Sequence, residues 1–291
     1  MEAAGKRWIG YPSRSDEFTI WNLADLHVGN RGTAMDCLRR DIRRIADDPF
    51  SFWIGGGDYA EYIGLNDKRF DPDCVSEDIS VKDMGKLGIA LTERVRDLLK
   101  PIQHKCMGLL FGNHELQYQR SKQQSELHAW LCTELKVASL GYSALLDVSF
   151  CRLSRHLRRP TIYLERPRYS TGNGGRTCSK RFFIHHGAGF AQTPGGKRNR
   201  LIQFMDAFQA DIYMLGHVHD KKGQRLVTIT ADTDCKKLVA VERLGIITGT
   251  YLRTYAAGVT GYAEQRGYRP VPIGASFVKI KPETGEMRAE V

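Results

Sequence analysis

The sequence predicts an α/β protein whose sheet is parallel over a substantial part. Three short stretches rich in β-formers, Phe18 to Leu23, Ser51 to Ile54 and Cys106 to Leu110, each run into a polar turn. Each is followed by helical periodicity: Leu38, Ile42 and Ile45 after the first, Leu87, Leu91, Val95 and Leu98 after the second, and Leu127, Leu131 and Leu135 after the third. Three strand-then-helix units in succession favour parallel neighbours, because the crossover helix returns the chain to the same edge.

In chain order, the residues before Phe18 read as a short polar leader. The first helix stops at Asp47-Asp48-Pro49 and the second at Pro101, where proline removes a donor and clashes with the preceding turn. Beyond residue 135 the period shifts towards two, with strands expected at Leu145 to Phe150, Thr161 to Leu164 and Arg181 to Ile184. Leu201, Met205 and Phe208 mark a helix, and Asp211 to Leu215 a strand. Leu226 to Ile229, Leu238 to Val241 and Phe277 to Ile280 read as further strands. With no repeat, low-complexity tract or linker, the expectation is one domain over 1–291. It carries a basic, irregular insertion at about 152–181, whose Thr171-Gly-Asn-Gly-Gly piece is loop chemistry.

Composition narrows the class. The 291 residues are 42% hydrophobic and 26% charged, as in soluble globular proteins of a size that buries a large core. No apolar run approaches the roughly 20 residues of a membrane span, and Met1-Glu-Ala-Ala-Gly-Lys lacks a signal peptide's apolar core. The expectation is a protein with no membrane partner. Seven cysteines without a Cys-x-x-Cys pair speak against a zinc finger and for reduced thiols, hence a cytoplasmic location. The net charge of +10 favours phosphate-bearing partners.

The polar residues at the predicted strand ends form a set: Asp25 and His27, Asp58, Asn113 and His114, His185 and His186, His217 and His219. In open α/β sheets ligands gather beyond the carboxyl ends of strands. Extended backbone puts i and i+2 on one side, so Asp25 with His27, and His217 with His219, are expected to converge. Carboxylates, imidazoles and an amide oxygen suit borderline to hard divalent metals rather than thiolate-seeking ones. Gly57, Gly112, Gly187 and Gly216 let the backbone turn beside them. Singly, each piece reads equally well as a capped turn or a satisfied buried histidine. Five of them in order, each at a strand end, read as a metal site.

Asp25-x-His27, Gly57-Asp58, Gly112-Asn113-His114-Glu115, a His-Gly after a strand and Gly216-His217-x-His219 stand in the order of the motifs of the calcineurin-like metallophosphoesterases. Residues 18 to 220 resemble that family. The remainder, including Thr250-Tyr251 and Tyr262-Ala263-Glu264, is only loosely similar to its bacteriophage-type members. The resemblance implies a four-layer α/β/β/α sandwich of mixed sheets flanked by helices, holding two divalent metal ions. Manganese is the first expectation, with iron, zinc, cobalt or nickel admitted by the same donors. By motif position Asp25, His27 and His219 would hold one ion, Asn113, His186 and His217 the other, and Asp58 would bridge them. His186 stands directly before Gly187, but some members use the first histidine of such a pair, so His185 is the alternative. His114 would be the catalytic, non-ligand histidine. The implied reaction is hydrolysis of a phosphate ester, expected to be a diester, by a metal-bridging hydroxide while His114 protonates the leaving oxygen.

Two departures bear on substrate. The second motif continues Tyr59-Ala60-Glu61-Tyr62, so Glu61 stands where the family's protein phosphatases place an Asp that supports the catalytic histidine, and their following arginine is missing. A phosphoprotein substrate is therefore disfavoured. The stretch from Arg152 to Arg181 carries Arg152, Arg155, Arg158 and Arg159 among nine cations against Glu165, with Tyr163 and Tyr169 interleaved, and Lys197-Arg198-Asn199-Arg200 follows the histidine pair. Arg152, Arg155, Arg158, Arg159, Lys197 and Arg198 are thus candidate substrate contacts, and a nuclease acting on DNA or RNA is the alternative within the class. A merely solvated insertion is the bland alternative. A binding scaffold without turnover is the alternative of another class, although such scaffolds usually lose ligands that are present here. The sequence leaves the oligomeric state open.

Overall fold

The computed structural model describes residues 1–122, 126–153, 159–167, 177–189 and 191–291. The described strands are β1 (Glu2–Tyr11), β2 (Phe18–Leu23), β3 (Ser51–Gly55), β4 (Cys106–Leu109), β5 (Ser143–Arg152), β6 (Thr161–Tyr163), β7 (Thr177–His185), β8 (Ile212–Leu215), β9 (Lys222–Ala231), β10 (Leu238–Ile247), β11 (Ser276–Lys281) and β12 (Glu286–Glu290). The α-helices are α1 (Met35–Asp47), α2 (Val81–Met84), α3 (Leu87–Leu99), α4 (Asn113–Lys122), α5 (Leu127–Glu134), α6 (Pro194–Ala207) and α7 (Tyr262–Gln265). None is long and apolar enough to cross a membrane.

The strands form two mixed sheets. One has the order β12-β11-β2-β3-β4, with β2, β3 and β4 parallel as the strand–helix repeats require. The other has the order β6-β1-β5-β7-β8-β10-β9. The polar leader expected before Phe18 is instead β1, which pairs parallel to β5 and carries Ile9 and Tyr11 into the core. Its first half, Glu2-Ala-Ala-Gly-Lys, is exposed, and that polarity hides the strand from a sequence reading.

Alternation along the strands assigns the layers. In β2, Phe18 and Ile20 point between the sheets, where they meet Phe52, Phe150, Phe182, Ile246 and Val278 in one buried cluster. Trp21 and Leu23 point outwards to Leu38, Ile42, Leu91 and Val95 of α1 and α3. Both faces of β2 are therefore covered and all six residues are buried, the pattern of a central parallel strand. On the far side, Leu201 and Met205 of α6 cover Phe183, Tyr213 and Ile247 of the larger sheet. The result is the four-layer α/β/β/α arrangement.

Two residues report on this core. Phe18 is fully buried, with the rings of Tyr11, Phe50 and Phe150 within 4.9–5.7 Å of it. Phe18→Ala is expected to cost about 3–5 kcal/mol, read as a lower urea midpoint, because facing sheets cannot collapse into the hole. His128 on α5 is buried against Ser139 and Cys132, and burial depresses its imidazole to about 4. An unfolded His binds its proton near pH 6.5. Stability contributed by keeping His128 neutral is therefore complete above that pH and lost as pH falls towards 4, by up to about 3 kcal/mol. His128→Gln is expected to flatten the stability–pH curve in this window; an unchanged slope in chemical denaturation would contradict the assignment.

Candidate metal centre

The carboxyl ends of β2, β3 and β4 and of β7 and β8 meet at one edge of the sandwich. The turns there are built unusually. Asp25, His27, Asp58, His217 and His219 have φ of 54°, 49°, 53°, 65° and 47°, the left-handed region that L-residues with a Cβ avoid. The extended alternation expected at Asp25–His27 and His217–His219 is thus absent. Asp25 and His27, each left-handed, enter one donor group, whereas His217 and His219 enter different ones.

Hydrogen bonds hold these turns open. Asp25 N–H donates to Gly57 O at 2.9 Å and His27 N–H to Asp58 O at 3.2 Å, while Tyr251 N–H and Thr250 Oγ1 both donate to Asp25 O. Thr33 Oγ1 donates to His27 O, and Lys197 Nζ to His219 O at 3.1 Å. The Glu115 carboxylate accepts from the backbone N–H groups of Asp58, Tyr59 and Gly112 at 2.7–3.0 Å, tying the second turn to the third. A Cβ at Gly112 would lie 2.1 Å from Asp58 Oδ1, so only glycine lets these two turns approach.

The side chains then present acceptors to one another. His186 Nδ1–H donates to Gly56 O at 2.7 Å, which leaves the Nε2 lone pair facing Asn113 Oδ1 at 2.9 Å and Asp58 Oδ2 at 3.3 Å. His27 Nδ1–H donates to Glu61 Oε2 at 2.8 Å, which aims Nε2 at His219 Nε2, 3.4 Å away. His219 Nε2 is in turn 3.2 Å from Asp25 Oδ1. One donor atom from each of Asp25, His27 and His219 lies within 4.8 Å of the others; so do those of Asp58, His186 and His217, and those of His27, Asp58 and His114. Lone pairs facing lone pairs at these distances repel unless a proton or a metal ion sits between them. Two divalent ions fit the donor set, one by Asp25, His27 and His219 and one by Asn113, His186 and His217, with Asp58 placed between. His185 faces elsewhere: its Nδ1 accepts from Gly187 N–H and its ring lies 4.6 Å from that of Phe204.

Charge follows the geometry. Burial pushes the Asp25 and Asp58 carboxyls up, and the neighbouring histidines more than reverse this, so both lie below the ordinary carboxylate value. Burial pulls the His186 imidazole down, but Asp58 and Asp25 raise it to about 9, the response of a cation-seeking site that must hold a proton when it holds nothing else. His114 N–H donates to Asp58 Oδ1 at 2.8 Å, and its Nδ1–H donates to the carbonyl of Glu61. Desolvation lowers its proton affinity, yet Asp58 and Glu61 outweigh that and favour the imidazolium.

Three sequence expectations change here. The Glu61 carboxylate serves His27, and only its backbone carbonyl supports His114. Arg152, where the basic insertion begins, lies at the other end of the sheet. Ser143 pairs with His185 near the cluster, whereas Cys151 pairs with Thr177; Arg152 is thus nine residues along β5, roughly 30 Å away. Arg152 pairs with Glu283, Arg181 pairs with Asp147, and Arg159 is exposed near Lys105. Arg155 and Arg158 lie outside the described residues. Of the second basic run, Lys197 is buried and positions the His219 turn, and Arg198 donates to Gln224.

Sequence reading missed Arg69. It carries no motif and lies in a polar loop, but its charge is felt by Asp58, Glu61 and His114, and it donates to Asp67 and to Gln117. Glu115 was visible in its motif, though not as the clamp between turns.

No family model matches the chain, and no curated protein does either. Among solved structures, a metallophosphoesterase from Sphaerobacter thermophilus aligns over 94% of this chain and 88% of its own, at 14% identity and a TM-score of 0.39. GAP50, the anchor in the inner membrane complex of Plasmodium, aligns over the same shares at 8% identity and a TM-score of 0.43. A predicted phosphoesterase from Streptococcus pneumoniae aligns over 94% and 98%, at 10% and 0.32.

The Glu61–His27 contact makes a testable demand. A carboxylate on the far nitrogen fixes the tautomer and raises the basicity of a ligating imidazole. Glu61→Gln is expected to weaken retention of one of two divalent ions by about 10–100-fold, measured as metal content after graded chelation. Retention equal to wild type would remove Glu61 from this role.

Proposed function

We propose that this protein is a dinuclear metal-dependent phosphoesterase acting on phosphodiesters. The observation that carries the reading is the convergence of His27, His219, His186, Asn113, Asp25 and Asp58, with a His114 nitrogen within 4.8 Å of donor atoms of His27 and Asp58. Two bound divalent ions would supply Lewis acidity towards the phosphoryl oxygens and a water acidified to act near neutral pH.

The chain's own residues supply the rest. Asp58, between the two donor groups, sets the spacing on which an in-line attack depends. His114, whose imidazolium Asp58 and Glu61 favour and whose ring the Glu61 carbonyl fixes, would offer Nε2–H to the departing ester oxygen. Without that proton the oxygen leaves as an alkoxide. Glu61 and Lys197 hold the His27 and His219 rings in register. Among the described residues, Arg69 is tied to Asp67 and Lys197 to the His219 carbonyl, so neither is free to clamp a phosphate. This suits the single charge of a diester better than a doubly charged monoester. The presence of His114 beside the donors also favours turnover over a binding scaffold.

Hydrolysis of bis-p-nitrophenyl phosphate beside p-nitrophenyl phosphate tests this, using protein stripped by chelator and refilled with Mn²⁺. The diester is expected to be cleaved faster, with activity returning on refilling. His114→Ala is expected to lose about 10²–10⁴-fold in kcat while keeping its metal content. Asp58→Asn is expected to lose both. Full activity in both variants would end the proposal.

A further inference from the structure

At one edge of the larger sheet, β9 and β10 run past the body of the molecule. β8 pairs with β10 only from Leu244 to Ile247, so the six rungs from Leu226–Arg243 to Ala231–Leu238 consist of β9 and β10 alone. Val227, Ile229 and Leu238 share the face away from α6 and are 55%, 61% and 82% exposed. Val239 and Val241 are exposed on the other face. A two-stranded ribbon by itself is marginal in water, whereas three or more strands hold.

Among the described residues nothing pairs with the outer side of β9, whose ten residues offer backbone donors and acceptors along roughly 33 Å. Proteins usually blunt such an edge with proline, a bulge or charge. β9 has no proline, its register with β10 has no shift, and its charges, Lys222 and Arg225, stand at the end next to the body. The stretch from Leu226 to Ala231 is uncharged and made almost wholly of β-formers, the composition that recruits another strand.

We propose that β9 pairs antiparallel with β9 of a second copy of this chain, about a two-fold axis at Thr228, joining the two larger sheets into one. Such an axis is perpendicular to the sheet, so residues equally far on either side of Thr228 face each other. Val227 then opposes the partner's Ile229 on the bare apolar face, and Leu226 opposes the partner's Thr230 on the other. Lys222 meets the partner's Asp234 at both ends, and no like charges oppose across the pair. This charge complementarity favours a second copy over an unrelated strand. Two ribbons become one of four strands, and each apolar contact is made twice. The pairing is independent of what the metal centre does.

Light scattering over a concentration series tests it, with circular dichroism as the check on folding. Wild type is expected to reach the mass of two chains. Val227→Lys with Ile229→Lys sets lysine against lysine and is expected to stay a monomer with unchanged circular dichroism, since both side chains are exposed on the arm. Val227→Glu with Ile229→Lys sets unlike charges face to face in this register and is expected to restore the dimer. Single cysteines at positions 226–229, in a Cys235→Ser background, locate the axis. Thr228→Cys is expected to oxidise to a covalent dimer fastest, because self-opposed Cα atoms lie about 4.5–5.5 Å apart, within a disulfide's reach. A monomeric wild type would overturn the pairing and leave the edge to a strand of another protein. A dimer that survives the lysine pair, or one that cross-links fastest elsewhere, would overturn pairing about Thr228.

Discussion

Five of the candidate ligands sit on left-handed backbone, and the rest of the edge is arranged to make that tolerable. Each such residue costs on the order of 1–3 kcal/mol, so the group stores strain comparable to a protein's whole net stability. The strain persists because the surroundings over-determine it. Asp25 alone has its N–H on Gly57, its carbonyl on Tyr251 and Thr250, and one carboxylate oxygen on the N–H of His217. Glu115 does the same for Asp58 through three backbone donors, and burial with Asp58 close by raises its own carboxyl to about 6. A turn that relaxed to ordinary φ would swing its side chain out of the cluster. Preorganisation here is a property of main-chain geometry more than of side-chain packing.

Much of this was legible in sequence, for physical reasons that can be named. β2, β3 and β4 are central strands covered on both faces, so their apolar runs are dense and bounded by turn residues, and their limits are recovered to within a residue. Amphipathic α1 and α3 show their period because one side meets water. β1 was hidden because its exposed half is polar and its buried half is short. The residues of the cluster were legible as a set because each closes a strand, yet the reason they converge was not. No sequence period encodes φ of +50° at a histidine.

The misplaced expectations share a cause. The cations from Arg152 onward are dense in sequence, but density does not give position: sheet register puts Arg152 at the end of β5 away from the cluster, and Arg155 and Arg158 lie outside the described residues. Arg69, in the short polar run Asp67-Lys68-Arg69, is bonded to Gln117, one turn along α4 from His114. Charge clusters announce themselves in one dimension, whereas the charge that counts is placed by the loop that carries it. Glu61 is the subtler case, since position by motif predicted the right residue and the wrong histidine for its carboxylate.

The donor cluster draws on both sheets. Asp25, His27, Asp58 and Asn113 belong to the smaller one, and His186, His217 and His219 to the larger. Asp25 and His219 are 194 residues apart in the chain. Each ion would thus close a clasp across a seam that is otherwise mainly apolar among the described residues, with polar links such as Arg7 to the Met107 carbonyl and Ser276 to the Ile247 carbonyl. A small slip of one sheet over the other changes both donor groups at once, in opposite senses. Sliding of the sandwich and alignment of the two donor groups are therefore one mechanical coordinate.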